Sequence, residues 1–158
     1  MSTALRISDA ASLGLHAGAL LAAKPKRRLT AAHIAGELGA SQAHLSKVLQ
    51  RMKGAGLVHS GRGPKGGFRL ALPPDKITLL DVYRAVEGGL TLSNCLLPRP
   101  VCDGKACILG SLMRTVNREL HAHLEQTTLA ELADVFRPDA SEDRHITHPQ
   151  RTKKGVTP

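Results

Sequence analysis

The stretch from Thr30 to Leu72 restricts the fold more than any other part of this 158-residue chain. Thr30 can cap a helix over Ala31–Leu38, Gly39 and Ala40 then make a sharp turn, and Ser41 can cap a second helix running from Gln42 to about Ala55. In that second helix Leu45, Val48, Leu49 and Met52 recur at spacings of three and four, which gives one apolar face and a polar one opposite. Gly56 supplies a left-handed stop. The segment LVHSGRGPKGGFRLAL, residues 57–72, starts apolar, crosses a turn with four glycines and a proline, and returns with Phe68, Leu70 and Leu72 alternating. That is a hairpin with a basic, glycine-rich tip. Two short helices across a tight turn, followed by such a hairpin, predict a winged helix-turn-helix. Each half also has a plain reading, a helical pair that never touches DNA and a solvated turn. In succession they favour a DNA reader.

Charge points the same way. The formal net charge is +9, and residues 1–76 carry twelve Lys/Arg against three Asp/Glu, whereas residues 77–158 carry ten of each. All the excess therefore lies with the helix-turn-helix, as expected of a half that meets a polyanion; a basic surface without a partner is the bland alternative. Hydrophobic residues make up 42% but aromatics only 2% (Phe68, Tyr83, Phe136), so the core must be aliphatic, which suits packed helices. No apolar run reaches the roughly 18 residues a membrane span needs. Ser8 to Ala23 lacks the basic-then-apolar order of an export signal and reads as an amphipathic helix carrying Asp9 and His16. A cytoplasmic protein without a membrane partner is expected. No constellation of nucleophile and positioned base argues for an enzyme.

Beyond the hairpin, Thr78 and Asp81 form a capping box for a helix ending at Gly88-Gly89. A long helix is expected from near Cys107 to about Gln126, with Ile108, Leu112, Val116, Leu120 and Leu124 every fourth residue, and Leu109 and Met113 beside them. So regular a stripe suits dimerisation, since helix-turn-helix readers commonly bind two half-sites as two-fold dimers; packing against its own domain is the alternative. Thr128 and Glu131 box a last short helix, LAELADVF. The expected organisation is a winged helix-turn-helix domain at 1–76, a cysteine loop with dimerisation helices at 77–136, and a disordered polar tail at 137–158. The fold class is mainly α with a small β-hairpin wing.

All three cysteines, Cys95, Cys102 and Cys107, fall within thirteen positions of one Pro- and Gly-broken loop. Pairing would leave one over, and in a reducing compartment clustered thiols bind metal or sense redox state more often than they form disulfides. Structural zinc sites bring ligands in pairs two to four residues apart, which is not the spacing here. Wider gaps suit a loop wrapped round an iron–sulfur cluster, with Arg99, Lys105 and the following helix N-terminus offsetting its negative charge. A zinc site, a metal-free thiol switch and inert cysteines remain alternatives. A fourth ligand is open: Asp9, Ser12 and His16 share a helix face and could come from a partner chain. Water or a small thiol could serve instead, and His33, His44, His121 and His123 are further candidates.

The segments SQAHLSKVLQRMKGAGLVHSGRGPKGGFRLA and ITLLDVYRAVEG, followed by three cysteines before a long helix, resemble the Rrf-two family of winged-helix regulators, of which IscR and NsrR are iron–sulfur members. The resemblance covers about residues 5–135. It implies a cytoplasmic homodimer on a roughly palindromic double-stranded DNA operator, acting as a repressor or activator. Ser41, Gln42, Ala43, His44, Ser46, Lys47 and Arg51 would lie near the major groove, and Arg62, Gly63, Pro64, Lys65, Gly66 and Gly67 would enter the minor groove. It also implies a 2Fe–2S or 4Fe–4S cluster on Cys95, Cys102 and Cys107. The chain departs from the pattern in three places. Cys102 sits one residue later than an even spacing, and Gly110 stands where IscR has its histidine ligand. Ser46 stands where IscR has an acidic residue tied to operator choice. The aspartate that NsrR-like proteins draw from the partner's first helix aligns with Ser12, with Asp9 one turn earlier.

Overall fold

A computed structural model describes residues 7–63, 66–90, 95, 101, 109 and 111–136. The central element is α1 (Asp9–Ala23), whose N-cap Ser8 accepts a hydrogen bond from the Ala11 amide at 3.0 Å. Of its eight buried positions six are Ala or Gly (Ala11, Gly14, Ala17, Gly18, Ala19, Ala22), and the other two are Leu20 and Leu21. Small residues let other helices come close. A Cβ placed on Gly14 would meet Val86, Val82 and Val48 at 2.9, 3.4 and 3.5 Å, and one on Gly18 would meet Leu129 at 3.1 Å. This is how a core almost without aromatics reaches close packing.

Around α1 are packed α2 (Ala31–Leu38), α3 (Gln42–Gly54), α4 (Leu79–Glu87) and α6 (Leu129–Leu132), with α5 (Leu112–Gln126) against α4. Thr30 and Ser41 cap α2 and α3, and Thr78 and Asp81 form the reciprocal box on α4, their side chains accepting from each other's amides at 3.1 and 2.9 Å. A two-stranded antiparallel sheet, β1 (Val58–Gly61) and β2 (Gly67–Leu70), pairs Val58 with Leu70, His59 with Arg69, Ser60 with Phe68 and Gly61 with Gly67. The core is one cluster that joins Leu20, Ile34, Leu45 and Phe68 to Ile77, Val82 and Leu129, across the expected boundary at 76. Backbone bonds from Leu79 to Thr127 (3.0 Å) and from Leu129 to Ile77 (2.9 Å) tie the starts of α4 and α6 together.

The described α5 departs from the sequence reading in its start. It begins at Leu112 rather than near Cys107, after a turn in which the Leu112 amide donates to Leu109 O. Gly110, a poor helix former, stands two positions before it in sequence. A spacing of four also drifts by about 40° per repeat on a 3.6-residue helix. The face turned inward is therefore Met113, Asn117, Leu120 and Leu124, whereas Leu112 is 54% exposed. The final segment is split into α6 and a 3-10 turn over Ala133–Phe136. The expected tail, 137–158, lies outside the described residues.

Candidate nucleic-acid interface

Helix α3 turns Leu45, Val48, Leu49 and Met52 inward, and the same geometry sets Gln42, Ala43, His44 and Lys47 on the open side, with Ser46 half-exposed. Ser41 is exposed and its hydroxyl accepts from the His44 amide at 3.5 Å, so it closes the N-terminus from which these side chains project. The first turn holds no carboxylate. Its unpaired amides and the helix dipole thus favour an approaching anion.

Arg51 is placed differently. Its guanidinium Nη1 donates to Val86 O at 2.9 Å, across to the last turn of α4. It joins the expected reading helix to α4 where α4's carbonyls end. A second link meets α4 one residue on: the Ser8 hydroxyl donates to the Glu87 carboxylate. Both contacts join residues far apart in sequence, and neither has a signature in the residue pattern.

The hairpin follows α3 directly, through Leu57 N to Met52 O at 2.9 Å. Arg62 and Gly63 are exposed at its tip, and Pro64 and Lys65 lie outside the described residues. The glycines answer to crowding. A Cβ on Gly66 would lie 2.6 Å from Gly61 O, and Gly67, at φ 123°, would put one 2.7 Å from Leu29 O. That neighbour is a third backbone segment: Leu29 and Phe68 exchange amide-to-carbonyl bonds of 3.0 and 2.8 Å.

Of the three cysteines only Cys95 is described, and it is half-buried; Cys102 and Cys107 lie outside the described residues, as do Arg99 and Lys105. Among the described residues no group of three or more His, Cys, Asp or Glu could hold a metal ion. Asp9 and His16 are exposed on α1 and Ser12 is half-buried. His16 Nδ1 lies 2.7 Å from Ser12 O. A carbonyl only accepts, so Nδ1 carries the proton and Nε2 the free lone pair. His33 and His121 each face a glutamate one turn on, Glu37 and Glu125, at 3.6 Å; His44 is exposed on α3, and His123 Nδ1 lies 3.5 Å from the Thr127 hydroxyl. Among the described residues no helix is long and apolar enough to cross a membrane.

The family model for Rrf2, described as an iron-dependent transcriptional regulator, matches residues 7–135. The chain belongs to the Rrf2 family. The winged-helix class expected from the sequence is shared with structures of that family. The structure of CymR, the global cysteine regulator of B. subtilis, superposes with a TM-score of 0.68 at 29% identity, covering 84% of this chain and 99% of that one. IscR of Aliivibrio salmonicida, an HTH-type transcriptional regulator, is 33% identical over 101 residues, 64% of this chain and 60% of that protein. BadM of Rhodopseudomonas palustris is 41% identical over 91 residues, 57% of this chain and 58% of that protein. The chain thus spans about three-fifths of the length of these two relatives. The family is one of transcriptional regulators rather than enzymes, as expected from the lack of a catalytic constellation.

Proposed function

We propose that this chain is a homodimeric, cytoplasmic DNA-binding regulator, acting as a repressor, whose hold on its operator is set by an iron–sulfur cluster on Cys95, Cys102 and Cys107. The observation that carries the DNA-binding reading is the open face of α3 standing next to a basic wing. Gln42, Ala43, His44, Ser46 and Lys47 would read the major groove. Arg62 with the glycine tip, Pro64 and Lys65 included, would enter the minor groove, each supplying charge or close backbone approach. The exposed Leu112 side of α5 would face the second copy.

Three thiolates from one loop suit a cluster by the softness of the donor set, and Asp9 or Ser12 of the second copy would complete it. When bound, the cluster supplies a redox- and nitric-oxide-sensitive, iron-dependent anchor for the loop. The chain's own contribution is the path out of it. Eight positions before Cys95, α4 ends at Glu87, held by Ser8, and at Val86, held by Arg51 of α3. A change in the loop that shifts α4's end therefore bears on the reading helix through one guanidinium. Such coupling works only by stabilising one arrangement over another.

Likeness to CymR supports a second reading, a cluster-free regulator governed by thiol redox or an effector. A zinc-stabilised module that binds protein rather than DNA is a further alternative. The separating experiment is oxygen-free purification followed by a visible spectrum and iron, acid-labile sulfide and zinc assays, with duplex affinity measured against salt. Brown protein with iron and sulfide, lost in Cys95→Ala and Cys107→Ala, is expected. Colourless protein that takes up no cluster overturns the cluster and leaves the cluster-free regulator; binding insensitive to salt overturns DNA reading altogether. In Arg51→Met, DNA affinities of cluster-loaded and cluster-free protein should converge. An undiminished difference would remove Arg51 from the path.

A further inference from the structure

The wing has a solvent face as well as a tip. In the antiparallel sheet, His59 is paired with Arg69, and Gly61 with Gly67, on the side opposite Phe68, which is buried. The Leu29–Phe68 bridge adds a third segment on the far side of β2. In that register the residue before Leu29, Arg28, stands beside Arg69. Its side chain confirms the side: Arg28 Nη1 donates to Gly67 O at 3.4 Å, and a Cβ on Gly61 would meet that same nitrogen at 2.8 Å. Arg28, Arg69 and His59 thus form one row across three adjacent segments.

All three are exposed, and none has a carboxylate partner among the described residues. Like charges on neighbouring segments of a sheet destabilise it, so the fold by itself gains nothing from setting Arg28 and Arg69 in register on one face. Lys26 and Arg27, both exposed, precede Arg28 in sequence. A polyanion laid across the row would reverse the sign of these repulsions. Glycines at 61 and 67 leave the surface beside the row clear of side chains other than Arg28 itself.

We infer that the row of Arg28, Arg69 and His59 is a second DNA contact, a phosphate-binding face that holds the backbone of duplex flanking the segment reached by the tip. This rests on the DNA-binding reading above and extends it to residues that read no bases. Phosphate contacts position a protein without choosing sequence. Removing one should weaken all duplexes alike.

The test uses the full chain and a mixed-sequence duplex of about three helical turns, with affinity followed across salt by fluorescence anisotropy. Each lost phosphate contact lowers the slope of log affinity against log salt by about 0.9. Arg69→Gln, present twice in a dimer, should therefore flatten it by about 1.8, with the ratio of affinities for two different duplexes unchanged. Arg69→Gln should also melt no lower than wild type, because a repulsion is relieved; a merely structural role for Arg69 would lower the melting point. An unchanged slope with wild-type binding intact overturns the row and leaves the regulator reading standing. Absence of salt-dependent binding by wild type overturns both.

Discussion

Two glycine-to-alanine substitutions should move stability in opposite directions. Gly14 and Gly36 both lie inside helices, and alanine gains about 1 kcal/mol of helix propensity over glycine in a helix interior. At Gly36 nothing lies within 4 Å of the added Cβ, so Gly36→Ala keeps that gain, reduced toward 0.5 kcal/mol by its nearness to the end of α2. At Gly14 the Cβ would sit 2.9 Å from Val86 Cγ2, with Val82 and Val48 at 3.4 and 3.5 Å behind it. Val86 must retreat by about half an ångström, but it is 3% exposed and β-branched, with one favoured rotamer in a helix. Either its torsion is forced or α4 moves off α1. Overpacking of this kind costs about 1–3 kcal/mol. At Gly14 the full propensity gain of about 1 kcal/mol offsets part of that cost, so Gly14→Ala should lie about 0.5–2.5 kcal/mol below Gly36→Ala. For a chain of this size that is roughly 2–4 °C in melting point per kcal/mol. Thermal and urea unfolding at one fixed protein concentration measure it, since association shifts apparent stability. Equal stabilisation by both substitutions would refute the packing assigned to the α1–α4 crossing.

Two further outcomes follow from the caps and the one tyrosine. Thr78→Ala removes the hydroxyl that accepts from the Asp81 amide and should lower stability by about 1 kcal/mol, read as a lower urea midpoint at unchanged slope; an unmoved midpoint would show that α4's start is held by the Thr127 and Thr128 backbone alone. Burial, and secondarily the Glu87 charge, hold the Tyr83 phenol above its ordinary value near 10. Its contribution to stability is complete below pH 10 and is lost as pH rises through the folded value. An absorbance titration should find the midpoint above that of free tyrosine and, in Glu87→Gln, only partly lowered; a midpoint at the ordinary value in wild type would contradict the placement of Tyr83.

The local elements were legible because their causes are local. Thr30, Ser41 and Thr78 cap through amides three residues away, and the inward face of α3 follows from Leu45, Val48, Leu49 and Met52 at helical spacing. The same short-range logic set the start of α5 near Cys107, whereas the helix begins at Leu112. Which of its side chains pack within the chain, Met113 and Asn117 among them, was decided by tertiary packing. Sequence placed KPKRR at the end of a helix but could not place it beside the wing. That depends on the exchange of two backbone bonds between Leu29 and Phe68, thirty-nine positions apart.

Taken alone, the sequence determined which segments are helix, which turn is sharp and which half is basic, because capping, periodicity and charge act over a few residues. It also placed the three cysteines within thirteen positions of one another. Only the tertiary structure decided that Arg51 is tied to α4, that Ser8 holds Glu87, and that Arg28 stands in line with Arg69 and His59. Those contacts join residues distant in sequence, and their partners are set by how α1, α4 and the wing pack, which no short window of residues encodes.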